Sequence, residues 1–347
     1  MDTITTLSDS QQSNKIKVAI NGFGRIGRQF FKVAFENPKI EIVAINDLGV
    51  LENLAYLLEF DSVYGRYNKK ISTDQNNLIV DEKVIKFFSK PNPLELPWKD
   101  LDVDVLVESS GVFNTTEKAM GHINAGAKRV VISAPAKDET TPTFTPNINE
   151  KCAKTSKITS NASCTSNATT PLALICENYF GIESAVVNTI HAVTATQEIV
   201  DSIGTKNFRG GRAGFLNIVP ETSGAAIAVV KVVPFLKNKL TAGALRVPVS
   251  VGSIVDFTFI SKKQVTVNEI NAAFETESKK PEWQGILEYN DKQIVSTDII
   301  KNPHGCIFDS TQTVVSNGNL VKLMAWYDNE WGYVNMMLKH VLSVFQI

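Results

Sequence analysis

The apolar positions near the start of the chain predict a strand, a helix and a second strand. Residues 16–20 alternate and then stay apolar, which is the pattern of a strand buried in a parallel sheet. Residues 28–36 carry apolar side chains at helical spacing, and residues 40–45 repeat the strand pattern. A strand–helix–strand order is typical of α/β proteins with a parallel sheet.

Further apolar segments extend this order along the chain. Residues 103–107 and 129–132 predict strands followed by small residues, among them Ser110, Gly111 and Ser133. Ligands of a doubly wound sheet bind at the carboxyl ends of its strands, so these three residues line a cofactor site or are ordinary loop residues. The remaining predicted elements are a helix at 168–179, a strand at 182–190, a strand at 254–260, an amphipathic helix at 265–274, and a strand from 322 that leads into a helix ending at 347.

Length and composition limit the class of protein. The 347 residues, 43% of them hydrophobic, predict two domains with cores of their own. A net charge of −1 disfavours a dedicated nucleic-acid-binding protein. The cysteines, at 152, 164, 176 and 306, lack metal-site spacing, so no metal is predicted, and their low number fits a reducing compartment. Residues 1–14 lack the features of a targeting peptide and no apolar run could span a membrane, which predicts a cytoplasmic protein with a disordered tail at 1–14.

A glycine motif stands between the first strand and the first helix. Gly22, Gly24 and Gly27 form G-x-G-x-x-G, in which the first glycine permits a tight turn and the second lets the backbone approach a pyrophosphate. The third lets the helix pack closely on the strand. Asp47 follows the second strand, where an acidic side chain accepts hydrogen bonds from ribose hydroxyls. Because this carboxylate would repel a 2′-phosphate, the predicted cofactor is NAD rather than NADP.

Cys164 lies in the segment 160–167, where its neighbours are all small or polar. A cysteine used for packing lies in an apolar run, whereas this setting is typical of an accessible thiol. The predicted helix at 168–179 begins just after it, and His191 follows the next predicted strand. A helix N-terminus and an imidazole both lower the pKa of a thiol, so Cys164 and His191 are predicted as nucleophile and base. The other cysteines are interpreted as structural.

Basic and hydroxyl-bearing residues follow in the second half. Arg209 lies in a glycine-rich loop, Ser223 and Gly224 precede a predicted helix, and Arg246 lies on a predicted strand. Guanidinium groups, hydroxyls and glycine N–H groups are what a phosphate-bearing substrate requires. Each residue alone is unspecific, and the pattern by itself does not assign them to one site.

Together these motifs resemble one family along almost the whole chain, the phosphorylating glyceraldehyde-3-phosphate dehydrogenases. The resembling segments are 21–28, 132–137, 160–165, 191–197, 245–248 and 326–333, of which the cysteine segment and Trp-Tyr-Asp-Asn-Glu at 326–330 are highly specific. The resemblance implies an NAD domain at 15–163 with a Rossmann-type, doubly wound parallel sheet, and an α+β catalytic domain at 164–328 with a mostly antiparallel sheet. A C-terminal helix at 329–347 would return to the NAD domain, and the chain would form a homotetramer.

The resemblance also implies roles for individual residues. Cys164 would carry a thiohemiacetal and then a thioester, with His191 as its base. The reaction would be the oxidation of glyceraldehyde 3-phosphate to 1,3-bisphosphoglycerate by NAD and inorganic phosphate, a step of glycolysis and gluconeogenesis. The residues that would contact NAD are Gly22, Gly24, Arg25, Ile26, Gly27, Asp47, Lys90, Ser133 and Asn329. Those that would hold the substrate phosphate and the incoming phosphate are Ser163, Thr165, Thr194, Arg209, Ser223, Gly224 and Arg246.

The chain departs from the family pattern at several positions. Ala168 replaces a common second cysteine, and Ser223 replaces a usual threonine while keeping a hydroxyl. Ile227 replaces a common lysine and residues 249–252 replace a usual Thr-Pro-Asn stretch, which bears on the phosphate site or on interface packing. Residues 202–203, Ser-Ile, replace a common Gly-Pro near the cofactor ribose, so use of NADP beside NAD stays open.

Three other functions compete with this one. An erythrose-4-phosphate dehydrogenase would share the thiol, imidazole and cofactor sites. An inactive dehydrogenase scaffold that binds RNA or a protein is disfavoured by the near-zero net charge and by the presence of Cys164, His191, Arg246 and Asn329. A non-phosphorylating aldehyde dehydrogenase is disfavoured by Arg209 and Arg246.

Overall fold

The computed structural model describes residues 15–204 and 207–345. The predicted disordered tail at 1–14 and the last two residues of the predicted C-terminal helix lie outside these ranges. Within them, no helix is both long enough and apolar enough to cross a membrane.

The first half of the chain builds one sheet and the helices around it. Its strands are β1 (Ile16–Asn21), β2 (Ile40–Asn46), β3 (Ile71–Asp74), β4 (Asn77–Val80), β5 (Lys83–Phe88), β6 (Val105–Glu108), β7 (Arg129–Ile132) and β8 (Ile158–Ser160). Its helices are α1 (Arg25–Phe35), α2 (Leu51–Glu59), α3 (Thr116–Asn124) and α4 (Glu150–Thr155).

The strands of this first sheet lie in the order β3-β4-β5-β2-β1-β6-β7-β8. From β5 to β8 all neighbours are parallel, and β3 and β4 join the edge as an antiparallel hairpin. Parallel strands are covered on both faces, which explains their continuous apolar runs. Val18 and Ile20 pack on one face in a core shared with α1 and α2, whereas Ala19 packs on the other face near α3.

The strand order reverses between β1 and β6, and the loops after these two strands meet. Gly22 follows β1 with φ +92, and a Cβ on it would lie 2.4 Å from the backbone nitrogen of Ser110, which follows β6. Ser109 N also donates to Asn21 O at 2.7 Å. A crevice at such a reversal is where open α/β sheets bind their ligands.

The second half builds another sheet. Its strands are β9 (Ile182–Ala192), β10 (Val219–Thr222), β11 (Leu240–Val247), β12 (Ser253–Ser261), β13 (Leu287–Asn290), β14 (Cys306–Asp309), β15 (Val314–Ser316) and β16 (Leu320–Tyr327). Its helices are α5 (Cys164–Phe180), α6 (Ala225–Val232), α7 (Val267–Ser278) and α8 (Trp331–Phe345).

The second sheet has the order β10-β11-β9-β12-β16-β14-β13, with β15 paired to β16. Its pairs are antiparallel except β11 with β9 and β13 with β14. Helices α5, α6 and α7 pack on it in a core of their own. The predicted fold class, a doubly wound parallel sheet followed by a mostly antiparallel sheet with helices, is therefore confirmed. The predicted domain limits stay predictions.

Helix α8, the last element of the chain, packs against α1 and α4 of the first half. Its buried side chains, Tyr333, Val334, Met337 and Val341 among them, belong to the core on one face of the first sheet.

Two helices begin earlier than the apolar pattern predicts. Helix α1 starts at Arg25 rather than 28 and passes through Gly27, where a Cβ would lie 2.1 Å from Gly22 O. Helix α5 starts at Cys164 rather than 168, and its first turns bury polar residues. The hydroxyls of Thr169 and Thr170 donate to carbonyl oxygens one turn back, at 2.8 and 2.7 Å, which satisfies them inside the core.

Candidate active site

A cavity of about 460 Å³ brings together residues from both halves of the chain. The predicted site residues that line it are Arg25, Ile26, Ser133, Ser163, Cys164, Thr165, His191, Thr194, Ser223, Gly224, Arg246 and Asn329. Cys164 is packed against the cores of both sheets, so the thiol lies where the two halves meet.

Cys164 is the first residue of α5 and follows a sharp turn. Ala162 has φ +57, a left-handed conformation unusual for a residue with a Cβ, and it is fully buried. Ser163 caps the helix by accepting a hydrogen bond from Ser166 N at 3.0 Å. The thiol Sγ lies 3.3 Å from Nε2 of His191, which is within reach of proton transfer.

The charge state of this pair differs from the sequence expectation. Burial raises the pKa of the Cys164 thiol, and the Arg246 guanidinium and the Thr165 N–H only partly oppose it. Burial, aided by Arg246, lowers the pKa of His191 to about 4. The expectation of a lowered thiol pKa is therefore wrong, because desolvation outweighs the nearby positive charge. The pair rests as neutral thiol and neutral imidazole, and His191 can accept the proton when the thiol reacts.

Strand register places Arg246 beside His191. The two residues are direct partners in the parallel pair β9–β11, and Arg246 Nη1 lies 2.6 Å from His191 Nδ1. Nδ1 also lies 2.7 Å from Ala192 O. On its other side, Arg246 donates from Nε to Glu221 at 3.1 Å. The guanidinium therefore sets the electrostatics of the imidazole and lines the cavity at the same time.

The hydroxyl groups around the cavity are held by local hydrogen bonds. Thr194 Oγ1 donates to Gln197 at 2.9 Å, and Ser223 Oγ accepts from Ala225 N at 3.1 Å at the start of α6. Thr165 Oγ1 lies 3.0 Å from Tyr327 OH, so this hydroxyl already has a protein partner.

The turn before Cys164 is braced by α8, which the sequence did not indicate. Tyr333 OH donates to Ala162 O at 3.2 Å. His340 Nδ1 donates to Asn161 Oδ1 at 3.1 Å while its Nε2 accepts from Thr159 at 2.9 Å. Burial lowers the pKa of His340 to about 3, which keeps it neutral in this role. No local signal could identify these two residues, because Tyr333 is 171 residues from Ala162 in the sequence and His340 is 179 residues from Asn161.

Asn329 lies at the junction of β16 and α8 with its side chain fixed. Its Oδ1 accepts from Gly252 N at 3.1 Å and from Ser253 Oγ at 3.0 Å. The amide nitrogen is then the group that remains to donate to a ligand in the cavity.

A second cavity, of about 430 Å³, lies over the glycine turn. Gly22, Gly24, Asp47, Lys90 and Ser110 are among its lining residues. Asp47 accepts hydrogen bonds from Phe23 N at 2.6 Å and Gly49 N at 2.8 Å, and it faces this cavity.

The glycine turn fits a dinucleotide pyrophosphate. A Cβ on Gly24 would meet no atom within 4 Å, so the space over this residue is open. Gly24 is the N-cap of α1, and no side chain caps the helix there. The N–H groups of the first turn and the positive end of the helix dipole are thus available to phosphate oxygens.

For three predicted site residues, the structure does not show a side chain free to bind the cofactor or phosphate in either cavity. The Arg25 side chain is engaged by Asp61 at 2.7 Å and by Glu330, so its backbone is what remains for a cofactor. Gly27 packs against the turn and lines neither cavity. Arg209 is exposed in a short 3₁₀ helix outside both cavities, and its role in binding phosphate stays a prediction.

Comparison with known proteins points to a single family. A family model described as the glyceraldehyde 3-phosphate dehydrogenase NAD binding domain matches residues 16–116, and one described as the C-terminal domain of the same enzyme matches residues 163–329. The chain is 45% identical to glyceraldehyde-3-phosphate dehydrogenase 1 of a Nostoc species, over 96% of this chain and 97% of that protein. It is 44% identical to glyceraldehyde-3-phosphate dehydrogenase of Colletotrichum lindemuthianum, over 95% and 98%, and 46% identical to that of Bacteroides fragilis, over 92% and 96%.

Proposed function

This chain belongs to the glyceraldehyde-3-phosphate dehydrogenase family of NAD-dependent oxidoreductases, and we propose that it converts D-glyceraldehyde 3-phosphate and inorganic phosphate into 1,3-bisphosphoglycerate. The observation that carries the proposal is the 3.3 Å contact between Cys164 Sγ and His191 Nε2 in a cavity that Arg246 also lines. A thiol beside a base performs acyl chemistry, and the guanidinium selects an anionic substrate.

Cys164 and His191 carry the covalent steps. The thiol sulfur adds to the aldehyde carbon, forming a C–S bond, and its proton passes through His191 Nε2 to the aldehyde oxygen, which becomes the hydroxyl of a thiohemiacetal. His191 then takes the hydroxyl proton of the thiohemiacetal as the carbon is oxidised to a thioester. Phosphate attacks the thioester carbon, the C–S bond breaks, and the acyl phosphate leaves. Splitting the reaction at a thioester conserves the oxidation energy that hydrolysis would dissipate.

NAD, when bound, accepts the hydride that leaves the aldehyde carbon. Gly24 and the first turn of α1 would hold its pyrophosphate, because the space there is open and no side chain caps the helix. Asp47 and Lys90, which line the second cavity, would hold the adenosine end. Asn329 would donate from its amide nitrogen to the nicotinamide carboxamide.

The anionic groups of the substrates bind around Arg246. Thr194, Ser223 and the Gly224 N–H lie in the same cavity and supply neutral donors. Ser163 and Thr165 flank the nucleophile and complete the set. Charge-assisted and neutral donors together bind a phosphate dianion with defined orientation.

We also propose a homotetramer in the cytoplasm. Ile199, Ile203, Phe208 and Leu216 expose 80, 89, 97 and 82% of their surface, and they lie close together in the sequence. So many exposed apolar side chains in one segment are typical of a protein–protein interface. A second copy of this chain covers this segment, and light scattering of the purified protein measures the number of copies.

The decisive test is NADH formation from glyceraldehyde 3-phosphate, measured by absorbance with and without inorganic phosphate. Turnover should require phosphate and should be lost in Cys164→Ser. Erythrose 4-phosphate is run in parallel, and a higher kcat/KM for it would replace this proposal by an erythrose-4-phosphate dehydrogenase. Near-normal rates in Cys164→Ser would refute the thioester mechanism.

A further inference from the structure

Glu221, a residue of β10, joins two side chains of the proposed phosphate site. One carboxylate oxygen accepts from Arg246 Nε at 3.1 Å, and the other accepts from Gln197 Nε2 at 3.2 Å. Gln197 in turn accepts from Thr194, from its N–H at 2.8 Å and from its hydroxyl at 2.9 Å. A single carboxylate therefore ties Thr194 and Arg246 into one hydrogen-bonded chain.

The sheet register explains why Glu221 reaches Arg246. In the antiparallel pair β10–β11, Val219 lies opposite Arg246, and Glu221 is two residues further along β10. Glu221 and Arg246 are therefore diagonal neighbours on one face, within reach of long side chains. The Glu221 side chain is 21% exposed and that of Arg246 is 18% exposed, so solvent screens this ion pair only in part.

The contacts of Arg246 leave one edge of its guanidinium directed away from protein partners. Nε donates to Glu221 at 3.1 Å, and Nη1 donates to Ala192 O at 3.3 Å and lies 2.6 Å from His191 Nδ1. Among the residues that the structure describes, these contacts involve Nε and Nη1 of Arg246 but not Nη2. A planar guanidinium fixed at two nitrogens presents the third to an anion at low cost in side-chain entropy.

We infer that Glu221 is a positioning residue for the phosphate of the aldehyde substrate. It holds Arg246 directly, and Thr194 through Gln197, so that both keep their orientation toward the cavity. The inference rests on the proposed function, because it takes Thr194 and Arg246 as phosphate ligands. The negative charge of Glu221 also weakens the attraction of Arg246 for an anion, so orientation and charge act in opposite directions.

Two substitutions separate these effects. Glu221→Ala removes the acceptor, and the KM for glyceraldehyde 3-phosphate should rise about tenfold because Arg246 and Gln197 lose their anchor. Glu221→Gln removes the charge and keeps one acceptor oxygen, which can anchor Arg246 or Gln197 but not both, so the KM should stay below that of Glu221→Ala. Unphosphorylated glyceraldehyde has no phosphate to orient, and its kcat/KM should change less than about threefold in either variant.

The control is Glu275→Ala on α7, which removes a carboxylate from the exposed ion pair with Lys279 and should leave both aldehydes unaffected. Thermal unfolding is recorded for every variant. If Glu221→Ala does not fold, Gln197→Ala breaks the same chain and should raise the KM for the phosphorylated aldehyde alone.

Three results would overturn the inference. They are an unchanged KM for glyceraldehyde 3-phosphate in Glu221→Ala, an equal rise in KM for both aldehydes, or a Glu221→Gln variant that behaves like Glu221→Ala. A failure of the proposed function is distinct, since the wild-type protein itself would then form no NADH from glyceraldehyde 3-phosphate.

Discussion

Two glycines of the same motif should fail in different ways when each is changed to alanine. Gly22 has φ +92, and a Cβ on it would lie 2.4 Å from Ser110 N and 2.6 Å from Ser109 C. Gly24 has φ −70, and a Cβ on it would meet no atom within 4 Å. Gly22→Ala therefore destabilises the fold, whereas Gly24→Ala leaves the fold intact and fills part of the space over the glycine turn.

The magnitudes follow from these contacts. For Gly22→Ala, the unfavourable backbone conformation costs about 1–2 kcal/mol, and forcing a methyl group against backbone atoms that cannot yield costs about 1–3 kcal/mol. The sum, about 2–5 kcal/mol, is a large part of the stability of a typical domain. For Gly24→Ala, only the N-cap preference is lost, which costs less than about 1 kcal/mol. Its methyl group occupies the approach of the pyrophosphate, so the Kd for NAD should rise at least about tenfold, or about 1.4 kcal/mol.

Urea unfolding followed by tryptophan fluorescence measures the loss of stability in each variant. Calorimetric titration with NAD measures the Kd. Gly22→Ala should lower the unfolding midpoint strongly. Gly24→Ala should unfold close to the wild type and bind NAD weakly. The reasoning is refuted if Gly24→Ala binds NAD with wild-type affinity, or if Gly22→Ala costs less than about 1 kcal/mol.

Other features give predictions of similar kind. Tyr333→Phe removes the hydrogen bond to Ala162 O and should lower the free energy of unfolding by about 1 kcal/mol and kcat by about tenfold. Urea unfolding and initial rates measure these changes, and an unchanged kcat would show that the turn does not need this hydrogen bond. Because the pKa of His191 is lowered to about 4, kcat/KM should fall on the acid side of its pH profile with an apparent pKa nearer 4 than 6.5. An apparent pKa near 6.5 would contradict the argument from burial. His340, with a pKa lowered from 6.5 to about 3, binds its proton in the unfolded chain before the folded one, so stability falls as the pH drops through this window. His340→Gln should reduce that slope by up to about 1.4 kcal/mol per pH unit in unfolding experiments, and an identical slope would refute it.

The sequence predicted those parts of the fold that local pattern controls. Buried parallel strands, the glycine turn and Asp47 each carry a signal within a few residues, and the structure has them as described. The start of α5 at Cys164 was missed because Thr165, Ser166 and Asn167 are polar, although the helix buries all three.

The parts that depend on distant contacts could not be predicted from local pattern. The roles implied for Lys90 and Asn329 came only from family resemblance, and those residues line the second and first cavities. The support of the Cys164 turn by Tyr333 and His340, and the raised thiol pKa, depend on packing between the two ends of the chain. Arg209 lies outside both cavities, and its predicted role in binding phosphate stays a prediction.

The bracing of the Cys164 turn by α8 has a consequence for biosynthesis. A ribosome completes the glycine turn, the thiol and the imidazole before it makes Tyr333 and His340, which come later in the chain. Until those residues emerge, the left-handed turn at Ala162 lacks the hydrogen bond that α8 supplies. A nascent chain that stops before α8 therefore carries the thiol without the support of its turn.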